Sequence, residues 1–305
     1  MPLISLSRYA TGFVPATFYD TADFIALNSG KAAEVRFVEG GNMAIAAGLV
    51  TDADGRSEWR VPFSAPFSMP AKLMLPEDAP TDPEALAAEL CRLTDGAPLR
   101  VVGPPPVHPG AQAWAEALQR QGLIRTDNIN FHYPLERLAD PAAFMTQMAR
   151  RNLRISQRSQ FRLCDNTDPV AVYSFIADHH RALGYHMAMT CRQVLDTARI
   201  IPVDFFTFML EGDEEQKETL AGAAIFYRMP GNIVQLINWG DSLALRSLRT
   251  SYAFIFAIFR YYADRGFTTV NLGPASTDGI PNPGLVAYKS GLGAIDTPIP
   301  TFTRP

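Results

Sequence analysis

The sequence predicts a mixed α+β fold, α/β in character, built as two units in tandem, each a mixed sheet flanked by helices. Three observations point there. A chain of 305 residues and 33.5 kDa has the length of two domains of roughly 150 residues. A hydrophobic content of 47% against 19% charged residues supplies two cores and excludes intrinsic disorder. A strand hairpin leading to a helix and a further strand occurs twice, which suggests duplication.

Taken in order, residues 21–26 read as a short helix, and 33–41 and 42–50 as strands. The turn 51–55 joins the latter to a strand at 57–63, which makes a hairpin. Residues 63–80 form a proline-punctuated loop. Residues 82–93 form a helix whose first turn carries Asp82 and Glu84, matching its positive end. A buried strand beginning at Leu99 ends at three prolines, a helix spans 111–121, and 124–135 alternates like one strand. From Asp140 the period becomes helical, and 141–158 is a helix pair or one bent helix. After a strand at 161–164, Asp168 and Pro169 open a helix running to about Leu183. Strands follow at 203–210, 217–228 and 232–240, then a long apolar helix at 249–265 closed by Gly266. A strand at 268–275, a helical turn at 283–290 and a last strand at 295–302 complete the chain.

Composition narrows the function. A net charge of −4 and a pI near 5.8 argue against a dedicated nucleic-acid coat protein. The most apolar stretch, 252–263, is interrupted by Arg260 and is too short to span a membrane. No secretory leader is visible at the N-terminus. Cys91, Cys164 and Cys191 are too scattered for a disulfide framework or a zinc site, and read as thiols of a reducing cytoplasm, the expected location. Only four lysines, Lys31, Lys72, Lys217 and Lys289, stand against 23 arginines, so each lysine draws attention.

Several segments carry a resemblance. ARRNLRISQRSQFRL at 149–163 looks like a basic helix before a first strand. SYAFIFAIFRYYADRGFTTVNLG at 251–273 looks like a long helix, a glycine helix end and the next strand. PGLVAYKSGLGA at 283–294 carries an aromatic-Lys signature. In the first half, RVVGPPP and then ALQRQGLIRTDNINFHYPL fit the same scheme. Together these resemble the acyl-CoA N-acyltransferase (GNAT) fold, and more closely its Fem-type branch, in which two GNAT-like units are fused. The resemblance covers most of residues 33–300 and implies GNAT-like units at 1–138 and 139–305, the second carrying the main cleft. It implies an acyl or aminoacyl transferase moving an acyl group to a small-molecule or peptide amine. The donor is an acyl-CoA or carrier-protein thioester, used as a co-substrate, or an aminoacyl-tRNA. It implies no permanently bound cofactor, no metal, no DNA and no membrane span.

The chemistry is attack of an amine on a thioester or ester, which needs positioning, oxyanion stabilisation and management of one proton. Lys289, beside Tyr288, suits a phosphate or an oxyanion, and the resemblance associates it with the active site. Arg151, Arg154 and Arg158 share one helical face suited to phosphates, although a solvated face reads the same way. Arg246, Arg249 and Ser251 precede the long helix where GNAT enzymes hold a pyrophosphate, but both glycines of that loop are missing here. His180, near Tyr185, is a candidate general base; its neighbour His179 does not share its helical face. Asn238 and Trp239 end a strand beside the expected cleft. Asn271 stands where the family often has an acid, and asparagine is no base. The missing glycines and acid are also what a non-catalytic ligand-binding protein that kept the GNAT-like fold would show.

Overall fold

The computed structural model describes residues 3–74, 80–94, 96–165, 167–212 and 218–305. Lys217 lies outside the described residues. The chain folds as two compact units. One comprises residues 1–130, 276–281 and 297–305, the other 131–275 and 282–296.

The first unit is built on a nine-stranded mixed sheet. Its main path runs Leu3–Ile4, Glu34–Gly40, Met43–Thr51, Ser57–Val61, Leu99–Val102, Ile299–Arg304, Ile124–Asn128, and Phe13–Val14 and Ala71–Leu73 branch from Met43–Thr51. Among the described residues of this sheet, only Ser57–Val61 and Leu99–Val102 pair in parallel. The turn between Met43–Thr51 and Ser57–Val61 is closed by Asp52, whose carboxylate accepts from Asp54 and Arg56 amides, and by Gly55 at φ 78°. Helices Pro83–Leu93 and Ala111–Arg120 bury Leu86, Leu90, Trp114 and Leu118 against Val38, Ile45, Trp59, Val101 and Phe302. Buried Asp20 accepts from the Thr17 and Ser68 hydroxyls and the Met69 amide. Burial raises its pKa from 3.8 to about 7, against the lowering effect of those bonds.

The second unit holds a seven-stranded sheet in the order Phe161–Cys164, Val203–Leu210, Thr219–Met229, Ile233–Asp241, Thr269–Pro274, Asn130–Pro134, Ile295–Asp296. Helix Thr250–Ala263 buries Phe254, Phe259 and Tyr262 completely. Phe254 stacks on Phe208 and Phe259 on Tyr133, with ring centroids 4.9 and 4.1 Å apart. Three helices open on the same device: Asp82, Asp168 and Asn282 cap the amides two or three residues on, and a proline follows each.

The structure departs from the sequence reading in several places, the following among them. Residues 124–135 are two strands, Ile124–Asn128 and Asn130–Pro134, one in each sheet. Residues 295–302 likewise divide into Ile295–Asp296 in one sheet and Ile299–Arg304 in the other. The units are therefore not separated by one cut at 138/139: Ile299–Arg304 lies between Leu99–Val102 and Ile124–Asn128, with Phe302 in the first core. Finally, 141–158 forms a short 3-10 turn, Pro141–Ala143, and a helix, Gln147–Ser156, separated where Thr146 caps the second.

Candidate active site

The second unit's cavity begins with an incomplete strand pairing. Ile233–Asp241 and Thr269–Pro274 run in parallel but register only from Ile233/Thr269 to Gln235/Asn271. Beyond that point the register stops, and a cavity of about 680 Å³ is lined by the C-terminal ends of both strands. Helices Pro169–Ala182, Thr250–Ala263 and Pro283–Gly291 supply further lining, and Leu183, Tyr185, Arg246 and Arg249 come from the segments beside them. Asn271, the residue in the place of the family's acid, is buried and its Oδ1 accepts from the Gly273 amide at 2.8 Å. That bond holds a turn in which Gly273 takes φ 77°, a conformation that favours glycine.

The turn presents two carbonyls to Lys289. Its Nζ donates to Gly273 O at 2.9 Å and to Pro274 O at 2.8 Å. Lys289 lies near the end of helix Pro283–Gly291, is 7% exposed, and makes no ion pair among the described residues. Burial lowers its pKa from 10.5 to about 7. Two acceptors satisfy both N–H groups of the neutral amine; the ammonium has a third N–H to spend on a ligand.

In the same cavity, two consecutive histidines meet one strand edge. The Ser242 amide donates to Ala221 O, so the backbone groups of Asp241 and Trp239 face away from Thr219–Met229. The register with Thr269–Pro274 has already ended, which leaves these two carbonyls without a strand partner. Histidines take them: His179 Nδ1 lies 2.6 Å from Asp241 O, and His180 Nε2 lies 3.2 Å from Trp239 O. A carbonyl only accepts, so each of these nitrogens carries the proton. The Asp241 carboxylate stands 3.8 Å from His179 Nδ1. Burial raises the Asp241 pKa, and His179 and Arg246 pull it back. His180 Nδ1 is sealed from solvent without a partner, and burial lowers this ring's pKa.

At the mouth, Arg246, Arg249 and Ser251 lie around the start of helix Thr250–Ala263. Arg249 has φ 56° and ψ 38°, no side chain caps this helix, and in its first turn the Tyr252 amide donates to Arg249 O. Both arginines are exposed and free of ion pairs among the described residues. The aromatic wall is Trp239 stacked on Tyr288 at 5.7 Å, with Tyr252 edge-on to Tyr288 at 5.3 Å. The Tyr288 hydroxyl donates to Ser251 O, and burial raises its pKa.

The cavity thus gathers Lys289, His180, Arg246, Arg249, Ser251, Trp239, Asn238, Tyr288 and Tyr185. Arg151 and Arg154 are exposed on helix Gln147–Ser156 and are not among its lining residues. Asp241, His179 and Tyr252 line it as well, although the sequence reading gave them no role. For the histidines the signal was present and misread. Helical spacing separates i from i+1, but alternate strand carbonyls reach both rings, whose centroids lie 6.0 Å apart. Among the described residues no group of three His, Cys, Asp or Glu could hold a metal, and no helix is long and apolar enough to cross a membrane.

No protein-family model and no curated protein sequence matches this chain. Solved structures do. A crystal structure of FemX superposes with a TM-score of 0.64 at 10% identity, covering 98% of this chain and 96% of that one. L-PGS from Bacillus licheniformis gives 0.58 at 11%, covering 92% and 90%. The C-terminal domain of a candidate lysylphosphatidylglycerol synthetase from Agrobacterium fabrum gives 0.57 at 11%, covering 93% and 87%. At such identities the likeness is one of fold: the chain shares the fold of FemX and of the two lysylphosphatidylglycerol synthetase structures.

Proposed function

We propose that the protein transfers an acyl or aminoacyl group from an activated donor to an amine. The donor is a thioester of coenzyme A or of a carrier protein, or an aminoacyl-tRNA. The observation that carries this reading is Lys289, a buried amine held by two neutral carbonyls in a cavity wall, with no carboxylate to neutralise it. An amine held in that way, once protonated, serves an anionic ligand or a developing oxyanion. Arg246, Arg249 and Ser251, at the start of helix Thr250–Ala263, suit the donor's phosphates. Trp239, Tyr288, Asn238 and Tyr185 supply the surface on which the acyl group and the acceptor are oriented. One histidine of the pair, beside the Asp241 carboxylate, takes the proton that the amine loses as the new C–N bond forms.

The test offers acetyl-CoA, an acyl-carrier thioester and a charged tRNA to the purified protein, with amine acceptors, and detects the amide by mass spectrometry. Lys289→Ala should lose about 10²–10³ in turnover, the cost of one oxyanion donor. Lys72→Ala, on the exposed surface of the first unit, is the control. No transfer from any donor favours a binding protein instead, and equal rates in the two variants remove Lys289 from the catalytic machinery. Arg151→Gln/Arg154→Gln separates the donors: the salt slope of binding falls by about 1–2 for tRNA and is unchanged for coenzyme A.

A further inference from the structure

Deprotonation of the acceptor requires a nitrogen that is unprotonated, reachable and able to carry a charge once it accepts. The two histidines meet the same strand through opposite ring nitrogens, and this leaves them in opposite states. His180 donates through Nε2 to Trp239 O, so its basic nitrogen is Nδ1, sealed from solvent and without a partner. His179 donates through Nδ1 to Asp241 O, so its basic nitrogen is Nε2, on a ring that lines the cavity and has no partner there among the described residues. The nitrogen that donates also faces the Asp241 carboxylate at 3.8 Å. A carboxylate at that distance supports the imidazolium formed when Nε2 accepts a proton.

Resting on the transferase reading, we propose that His179, rather than His180, is the general base for the acceptor amine, with Asp241 as its positioning residue. The neutral amine attacks the donor carbonyl and the C–N bond forms. The nitrogen of the tetrahedral adduct then passes one proton to His179 Nε2. Collapse breaks the C–S or C–O bond, and the departing thiolate or alkoxide recovers that proton from the imidazolium. The products are an amide and a free thiol or hydroxyl, with His179 neutral again. Backbone fixes the tautomer, since the Asp241 carbonyl accepts only from a protonated Nδ1.

The test uses the full chain and whichever donor supports transfer. His179→Ala should lower turnover by about 10²–10⁴-fold with KM for the donor little changed, and added imidazole should restore part of the rate. Asp241→Asn should move the acidic limb of the kcat profile to lower pH, because it removes the negative charge beside Nδ1 while Arg246, His180 and Tyr288 stay in place. Carbethoxylation of the unmodified protein by diethyl pyrocarbonate should reach His179 before His180, a readout that needs neither a variant nor activity. Full turnover in His179→Ala, imidazole rescue of His180→Ala alone, or faster carbethoxylation of His180 overturns the assignment while the transferase reading stands. A wild-type protein that transfers nothing from any donor overturns both.

Discussion

A β-carbon on Gly240 would stand 2.9 Å from Cβ and Cγ of His179, so the strand carries no side chain where the imidazole crosses it. Gly240→Ala is expected to displace the ring and cost about 1–3 kcal/mol by overpacking. Paired with His179→Gly, most of that cost should vanish, and a double-mutant cycle should return a coupling of about 0.5–3 kcal/mol. Additive costs in urea unfolding would mean that the two residues do not press on each other.

Lys289 should make stability depend on pH with a predictable sign. Its folded pKa is about 7, against 10.5 for an ordinary lysine. Between those values the unfolded chain holds the proton and the folded one does not, so stability rises with pH across the window. Wild type should therefore gain on Lys289→Met from pH 7 to pH 10 in denaturant titrations. A constant difference across that range would contradict the burial of the charge.

Arg249 holds a left-handed backbone at the start of Thr250–Ala263, which costs a residue with a β-carbon about 1–2 kcal/mol. Arg249→Gly should be the more stable replacement by about 1 kcal/mol relative to Arg249→Ala. Both should lose donor affinity alike, about tenfold for one phosphate contact of roughly 1.5 kcal/mol. If Gly and Ala are equally stable by thermal melting, the strain argument fails.

Asp20 gives the opposite pH dependence in the first unit. It is expected to keep its proton up to about 7 in the folded state but only to 3.8 when unfolded, so stability falls as pH rises between those values. Asp20→Asn should gain on wild type from pH 4 to pH 7 in chemical denaturation, and parallel curves would refute the linkage.

Much of this was legible in the residues, for local reasons. Asp168-Pro169 marked a helix start because a cap and a fixed φ act within one turn. The hairpin at Gly55 was legible because the turn chemistry is local. Lys289 stood out by rarity and motif, but the carbonyls that hold it come from Gly273 and Pro274, sixteen and fifteen residues away, through a turn set by Asn271. Asp241 was passed over because nothing in NWGD tells which way a strand-end carboxylate faces until pairing stops at Gln235. The divided strands at 124–134 and 295–304 were unreadable for a similar reason: alternation reports a buried face and not the sheet that buries it.

The position of Ile299–Arg304 between Leu99–Val102 and Ile124–Asn128 inverts the usual order of folding during synthesis. A ribosome releases every residue of the second unit before it releases the strand that joins these two, so the amino-terminal half emerges early and is completed late. Until then those strand edges and the seat of Phe302 are open to other chains, a hazard that chaperone capture on stalled nascent chains would reveal.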